Sequence, residues 1–386
     1  MNLLRAGVIG MGFIGPVHVE AVRRTGMGNI TAISDKDFQK TKELAHSLDI
    51  EKVYEDYHDM IKDPEIDVIH VCVPNHMHYE IVKEALAAGK HVVCDKPLAM
   101  EASEGEELVK IARESGLVCG IHLNIRNYPL LQHVRSMIAN GDLGTIFAVN
   151  GSYQQDWLFK QTDYSWRLEK QFSGKSRAIA DIGSHWFDTV ETVTGLRVTE
   201  VLADFATFYP VRKKPLKDVA TYSGKVLEAS DYEDIAIDTE DYATVLLHFS
   251  NGAHGSFTAN QVAAGRKNRI YFEIYGSKSA IAYDSEIPNL LWIGHRDTAN
   301  ELVMKDPSLV NPNVRDYISY PGGHAEGWAD ATKHIMIRIY QDILRDPENR
   351  KYDYPLFEDG WRELTLCDAI FESSQSGSWT KVPEVS

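Results

Sequence analysis

Along the first third of the chain, short apolar runs alternate with segments whose apolar residues recur at helical spacing. The runs are Leu4–Ile9, Asn29–Asp35, Asp67–Val73, His91–Cys94 and Leu117–Ile121, with a shorter one at Val53-Tyr54. Between them lie the helical patterns Pro16–Arg24, Phe38–Leu48, Tyr57–Ile61, Tyr79–Ala88 and Glu101–Ser115. Nearly continuous apolar runs suit parallel strands buried on both faces. Their alternation with helices predicts an α/β fold, a doubly wound parallel sheet of the Rossmann kind. Near His122 the pattern changes. A helix around Leu130–Ala139 is followed by alternating runs at Ile146–Tyr153, Tyr242–Phe249, Gly255–Gln261, Arg269–Tyr275 and Ala280–Tyr283. Asn251-Gly252 between two of them is a hairpin signal. The second part, 124–386 after a first domain of 1–123, is therefore expected to be α+β with a large, mainly antiparallel sheet. One sheet face should pack on helices. The other, with alternating aromatics such as Phe257 and Tyr271, should be exposed and so mark a homodimer or homotetramer interface. The charged stretch Lys213–Asp238 reads as an irregular surface excursion.

The first apolar run ends in Gly10-Met11-Gly12-Phe13-Ile14-Gly15 and leads into a helical pattern. This is the order a dinucleotide site requires. Gly10 allows the tight turn, Gly12 lets the backbone approach a pyrophosphate, and Gly15 lets helix and strand pack closely. The helix start then offers free N–H groups to the phosphates. Phe13 and Ile14, inside the turn, are counted with the cofactor contacts. Asp35 ends the second run roughly 20 residues past the last glycine, where a carboxylate accepts from the adenosine ribose hydroxyls. It repels a 2′-phosphate, so the expected cofactor is NAD.

Bulk properties narrow the class. The 386 residues are 44% hydrophobic and 25% charged, with a formal net charge of −16. An acidic chain is a poor partner for nucleic acid or an anionic membrane surface. No apolar run approaches the ~20 residues of a membrane helix. Met1 leads directly into the glycine motif with no secretory pattern, and Cys72, Cys94, Cys119 and Cys367 form no C-x-x-C pair. Buried free thiols in a reducing, cytoplasmic setting are expected.

Three loops carry candidate chemistry. Pro74-Asn75-His76-Met77-His78 follows a buried strand, at the sheet edge where open α/β folds bind ligands. Its His76-x-His78 is also the spacing of a metal pair in amidohydrolases, which needs a barrel and no glycine turn, so no metal is expected. Asp95-Lys96-Pro97 follows another buried strand. Lys96 is either a solvated surface lysine or a desolvated cation that holds a substrate oxygen. In Asp181-Ile182-Gly183-Ser184-His185, the Asp and His share a helix face at i,i+4. They form either a proton-relay pair or an N-cap and a core histidine.

Together, Gly10-x-Gly12-x-x-Gly15, Asp95-Lys96-Pro97 and Asp181-Ile182-Gly183-Ser184-His185 resemble the Gfo/Idh/MocA oxidoreductases over essentially the whole chain. Pro74-Asn75, Asn124-x-Arg126 and Trp166-Arg167 extend the likeness. The resemblance implies reversible hydride transfer between NAD and a carbinol carbon of a sugar, sugar derivative or cyclitol. It makes Lys96, Asp181 and His185 catalytic. His185 is the acid/base, Lys96 holds the reacting oxygen, and Asp181 binds a neighbouring hydroxyl or relays the proton. It adds Pro74, Asn75, His78, Lys96 and Asn124 to the cofactor contacts. Arg126, Arg167 and His324 join Lys96, Asp181 and His185 as substrate contacts, and Trp328 either stacks on a sugar ring or packs between domains. Two departures stand out: Asp95 replaces the usual Glu, and Ser173–Arg177 replaces a glycine cluster. An NAD-dependent glycosidase using transient oxidation and a non-catalytic dinucleotide- or sugar-sensing regulator on the same fold remain alternatives.

Overall fold

Six parallel strands pair in the order β3-β2-β1-β4-β5-β6. They are β1 Leu4–Ile9, β2 Gly28–Ser34, β3 Lys52–Tyr54, β4 Val68–Val71, β5 His91–Cys94 and β6 Cys119–Ile121. The computed structural model describes residues 3–217 and 227–385. Helices α1 Ile14–Thr25, α2 Phe38–Ser47, α3 Tyr57–Lys62, α4 His78–Ala87 and α5 Ala102–Ser115 make the crossovers. The order reverses between β1 and β4, so the loops after these two strands meet at a topological switch point. All six expected strands are present; β4 and β6 are buried throughout, while the edge strand β3 is half-buried.

The chain divides into two compact units: one is the chain up to Asn127 with Trp328–Leu364, the other Tyr128–Gly327 with Thr365–Glu384. This partition departs from 1–123 and 124–386, because a late segment returns to the first unit. Helix α9, Trp328–Leu344, lays Ile335, Met336, Ile339 and Tyr340 into the same apolar cluster as Ala6, Val8, Val19, Val22 and Ile30. Strand glycines make room for it. A Cβ on Gly28 would lie 2.3 Å from the Tyr340 ring, and one on Gly120 2.4 Å from Ile339.

In the second unit nine strands pair in the order β16-β15-β14-β13-β7-β12-β11-β8-β17. In chain order these are β7 Ile146–Gln154, β8 Val198–Ala206, β11 Tyr242–Phe249, β12 His254–Asn260, β13 Arg269–Gly276, β14 Ala280–Asp284, β15 Leu290–Gly294, β16 Glu301–Met304 and β17 Thr380–Lys381. Every pairing is antiparallel except β7 with β12. Register sorts the faces. Ala203, Val245, Phe257, Gly151, Phe272, Tyr283 and Leu291 stand opposite one another across the sheet. Apart from Gly151, which has no side chain to bury, they are buried. The next row runs Leu202, Leu246, Ser256, Asn150, Glu273, Ala282, Trp292 and Leu302. It is part-exposed or exposed throughout. Phe257 therefore belongs to the inner face, not the outer one: its ring lies 4.6 Å from Trp186 and 4.8 Å from Phe187. Tyr271 is part-exposed, bonded to Glu273.

The remaining helices are α6 Pro129–Ala139, α7 Lys170–Ser173, α8 Ser184–Thr194 and α10 Phe357–Ser376, which runs from the first unit into the second. The expected excursion Lys213–Asp238 is partly regular: β9 Val211–Pro215 and β10 Tyr232–Ala236 pair antiparallel as a separate ribbon. Its middle, 218–226, lies outside the described residues. The hairpin joins β11 to β12, with Gly252 at φ 85° and the Asn251 side chain accepting from the Ala253 N–H.

Candidate active site

The glycine turn is built as its spacing requires. Gly10 has φ 92°, and a Cβ there would lie 2.5 Å from the Cys72 carbonyl oxygen, so the loops after β1 and β4 touch. A Cβ on Gly15 would lie 2.2 Å from the Gly10 carbonyl. Gly12 differs: a Cβ there meets nothing within 4 Å. The protein leaves that side open, beside a helix start with no side-chain cap and no acidic residue in its first turn. An open side beside unpaired helix N–H groups has the shape and polarity that a pyrophosphate requires. The Gly10 N–H donates to the Ser34 carbonyl, and the Met11 N–H to Asp35 Oδ2 at 2.6 Å. Phe13 is exposed, its ring 6.2 Å from that of Trp328. Trp328 thus packs beside the cofactor turn within the first unit.

Lys96 follows β5 at the same carboxyl edge of the sheet. Its neighbours are held from below. His122 meets Asp95 Oδ1 at 3.2 Å through Nδ1 and Thr332 at 3.2 Å through Nε2. Burial opposes the charge on Asp95, yet His122 and Lys96 hold its carboxyl well below the usual range. Behind them His18 Nδ1 lies 2.9 Å from His70 Nδ1, and His70 Nε2 2.8 Å from the Tyr340 hydroxyl. Burial keeps both histidines neutral, His70 pushed down to about 3. His18, Asp95 and His122 place one donor atom each within 4.8 Å of the others, the one such grouping among the described residues. Sequence reasoning missed this cluster, because His18, Asp95 and His122 come from three separate segments of the chain.

Three expected contacts take other partners. His78 is buried, with Nδ1 2.6 Å from the Pro97 carbonyl and Nε2 2.8 Å from the Val73 carbonyl. It braces the Pro74-Asn75 loop against the Lys96-Pro97 loop. The Asn124 amide donates to Thr332 at 2.9 Å, which engages it with α9. Arg126 pairs with Asp359 at 3.2 Å.

In the second unit Asp181 and His185 come from one continuous helical stretch. A π-turn, Ile179–Gly183, runs into α8, so Asp181 does not cap that helix. Asp181 Oδ1 accepts from Arg167 Nε at 3.2 Å, and Oδ2 from Gln261 Nε2 at 3.2 Å. The Arg167 guanidinium stacks on Trp166, 4.5 Å from the ring centroid. His185 is half-buried, its ring 6.2 Å from that of Tyr153. The structure thus gathers Arg167, Asp181 and His185. His324 is exposed, in a turn held by a buried pair: Lys305 Nζ meets Glu326 Oε2 at 2.7 Å and the His324 carbonyl at 2.9 Å. The Ser173–Arg177 stretch that departs from the glycine cluster contributes a fully buried Arg177, bonded to Asp241 Oδ1 at 2.6 Å.

Comparison with known proteins places this arrangement. Residues 4–123 match an oxidoreductase family with an NAD-binding Rossmann fold, and residues 131–282 match the GFO/IDH/MocA C-terminal domain. The levoglucosan dehydrogenase of Pseudarthrobacter phenanthrenivorans is 29% identical, with 100% of each chain covered. The myo-inositol 2-dehydrogenase of Thermotoga maritima is 29% identical over 73% of this chain and 75% of its own. A crystal structure of levoglucosan dehydrogenase in complex with NADH and L-sorbose superposes with TM-score 0.89 at 27% identity, covering 100% of both chains. No helix among the described residues is long and apolar enough to cross a membrane. The chain belongs to the Gfo/Idh/MocA family of NAD-dependent oxidoreductases.

Proposed function

We propose that this protein interconverts a secondary alcohol and a ketone on a sugar, sugar derivative or cyclitol. NAD, when bound, accepts or returns the hydride. Lys96 holds the reacting oxygen with its ammonium and stabilises the developing alkoxide. His185 takes the hydroxyl proton as the hydride leaves. Asp181, steadied by Arg167, accepts from a neighbouring hydroxyl, and His324 adds a contact. Pro74 and Asn75 line the cofactor, with Asp35 at the ribose. The observation that carries this reading is the directed Asp181 carboxylate one helical turn from His185. A structural N-cap would not need two side-chain donors from distant segments.

The retained lysine and histidine speak against a regulator that senses without turnover. Four buried free thiols support a cytoplasmic setting. A homodimer or homotetramer is supported by the part-apolar outer row with Leu246, Trp292 and Leu302. The test is an NADH absorbance screen over free sugars, glycosides, cyclitols and their keto forms. Steady NADH accumulation with a free sugar or cyclitol supports the dehydrogenase. Glycoside cleavage without net NADH overturns it in favour of the glycosidase.

A further inference from the structure

We propose that Gln261, held by Arg177, is the positioning residue that keeps Asp181 a hydrogen-bond acceptor. This inference rests on the reading of Asp181 as a substrate-binding carboxylate. Gln261 is buried just past the end of β12, and its own N–H donates to the Asp241 carbonyl at 3.0 Å. Arg177 Nη1 stands 2.8 Å from Gln261 Oε1. A guanidinium only donates, so the amide oxygen must face Arg177. The amide nitrogen therefore faces Asp181 Oδ2, 3.2 Å away. Arg167 donates to Oδ1 from the other side. With N–H groups directed at both oxygens, the charged form is favoured and Asp181 receives a proton or a hydroxyl rather than donating one.

The lever itself cannot turn. Arg177 is fully buried and also bonds Thr239 Oγ1 at 3.1 Å and Asp241 Oδ1 at 2.6 Å. Arg212 meets the same Asp241 oxygen at 2.7 Å, while Asp241 Oδ2 accepts the Phe208 and Tyr209 N–H groups. Glu240 Oε1 fixes the entry to the π-turn by accepting the Arg177 and Ile179 N–H groups. The charged or titratable groups around Asp181 and its lever are thus Arg167, Arg177, Arg212, Glu240, Asp241 and, one turn on, His185. Arg167 already forms one ion pair with Asp181. An amide between Arg177 and Asp181 passes on direction without a second ion pair.

The test compares Gln261→Glu, Gln261→Met and Asp181→Asn with the wild type, using the best substrate of the absorbance screen. Circular dichroism and NAD titration establish that each variant folds and binds NAD. Gln261→Met should lose on the order of 10-fold in kcat/KM at every pH, the loss of one hydrogen bond to a charged group. Gln261→Glu should lose at least as much at neutral pH, where two carboxylates face each other. It should recover relative to wild type as the pH falls, because the protonated carboxyl again donates to Asp181. A merely structural role would not produce that recovery. If Asp181→Asn turns over like the wild type, the reading of Asp181 is overturned. If Asp181→Asn is impaired but folded Gln261→Met keeps wild-type kcat/KM, or Gln261→Glu shows no recovery as the pH falls, the positioning inference is overturned and that reading stands.

Discussion

Asp35 Oδ2 accepts the main-chain N–H of Met11 at 2.6 Å, which ties the end of β2 to the glycine turn. One carboxylate thus shapes the turn and, in the proposed site, is the acceptor for the adenosine ribose. Asp35→Ser should relax the choice between NAD and NADP by removing repulsion of the 2′-phosphate. It should also loosen the turn and raise the KM for NAD. Comparing kcat/KM for both cofactors checks this. A wild type that prefers NADP tenfold or more contradicts it.

The motif glycines separate structure from binding. Gly15→Ala places a methyl group where the Gly10 carbonyl oxygen already stands, 2.2 Å away. Overpacking of this kind costs about 1–3 kcal/mol, so Tm should fall clearly. Gly12→Ala meets no protein atom within 4 Å. Its Tm should stay near wild type while NAD affinity drops, read by thermal unfolding and cofactor titration. Equal losses of Tm in both variants would refute the assignment of Gly12 to the pyrophosphate.

The first unit should be acid-labile. Burial pushes His70 down to about 3, His91 to about 4 and His334 to about 3, each neutral in the folded chain. Unfolded, they titrate near 6.5. The unfolded state then binds more protons below that value, so stability is fully present above about pH 6.5 and falls as the pH drops towards the folded values. Urea unfolding from about pH 8 to pH 5 should show a slope of at least about three protons on the acid side, since burial holds His18 neutral as well. His70→Asn should reduce it. A flat profile across this range would contradict the buried neutral histidines.

Much of this architecture was legible in residue order. Near-continuous apolar runs marked β1, β2, β4, β5 and β6 because strands buried on both faces cannot alternate. Asn251-Gly252 marked its hairpin through local turn chemistry. Pairings between distant segments left no such trace. The return of α9 to the first unit shows only in Gly28 and Gly120, whose missing side chains admit Tyr340 and Ile339. Spacing places His78 in a loop at the sheet edge but does not reveal that its two ring nitrogens meet the Pro97 and Val73 carbonyls. Gln261 and Arg177 gave no local signal, since the hydrogen bonds that link them to Asp181 join segments the fold alone brings together.

Lys96 and His185 are proposed to serve one oxygen. Lys96→Ala and His185→Ala should keep NAD binding, which the glycine turn and Asp35 provide. Turnover should fall roughly 10²–10³-fold for the lysine and 10²–10⁴-fold for the histidine. The double variant should be far less impaired than the product of the two. His185→Ala that keeps more than a tenth of wild-type turnover at every pH would remove the histidine from the acid/base role.

The most direct test follows the hydrogen itself. The best substrate of the absorbance screen, deuterated at its carbinol carbon, is turned over with NAD, and the NADH is analysed by mass spectrometry. The account predicts one deuterium per NADH and a slower single turnover than with the protiated substrate. Unlabelled NADH with deuterium released to water, or product formed with no NADH, would contradict hydride transfer as the reaction of this protein.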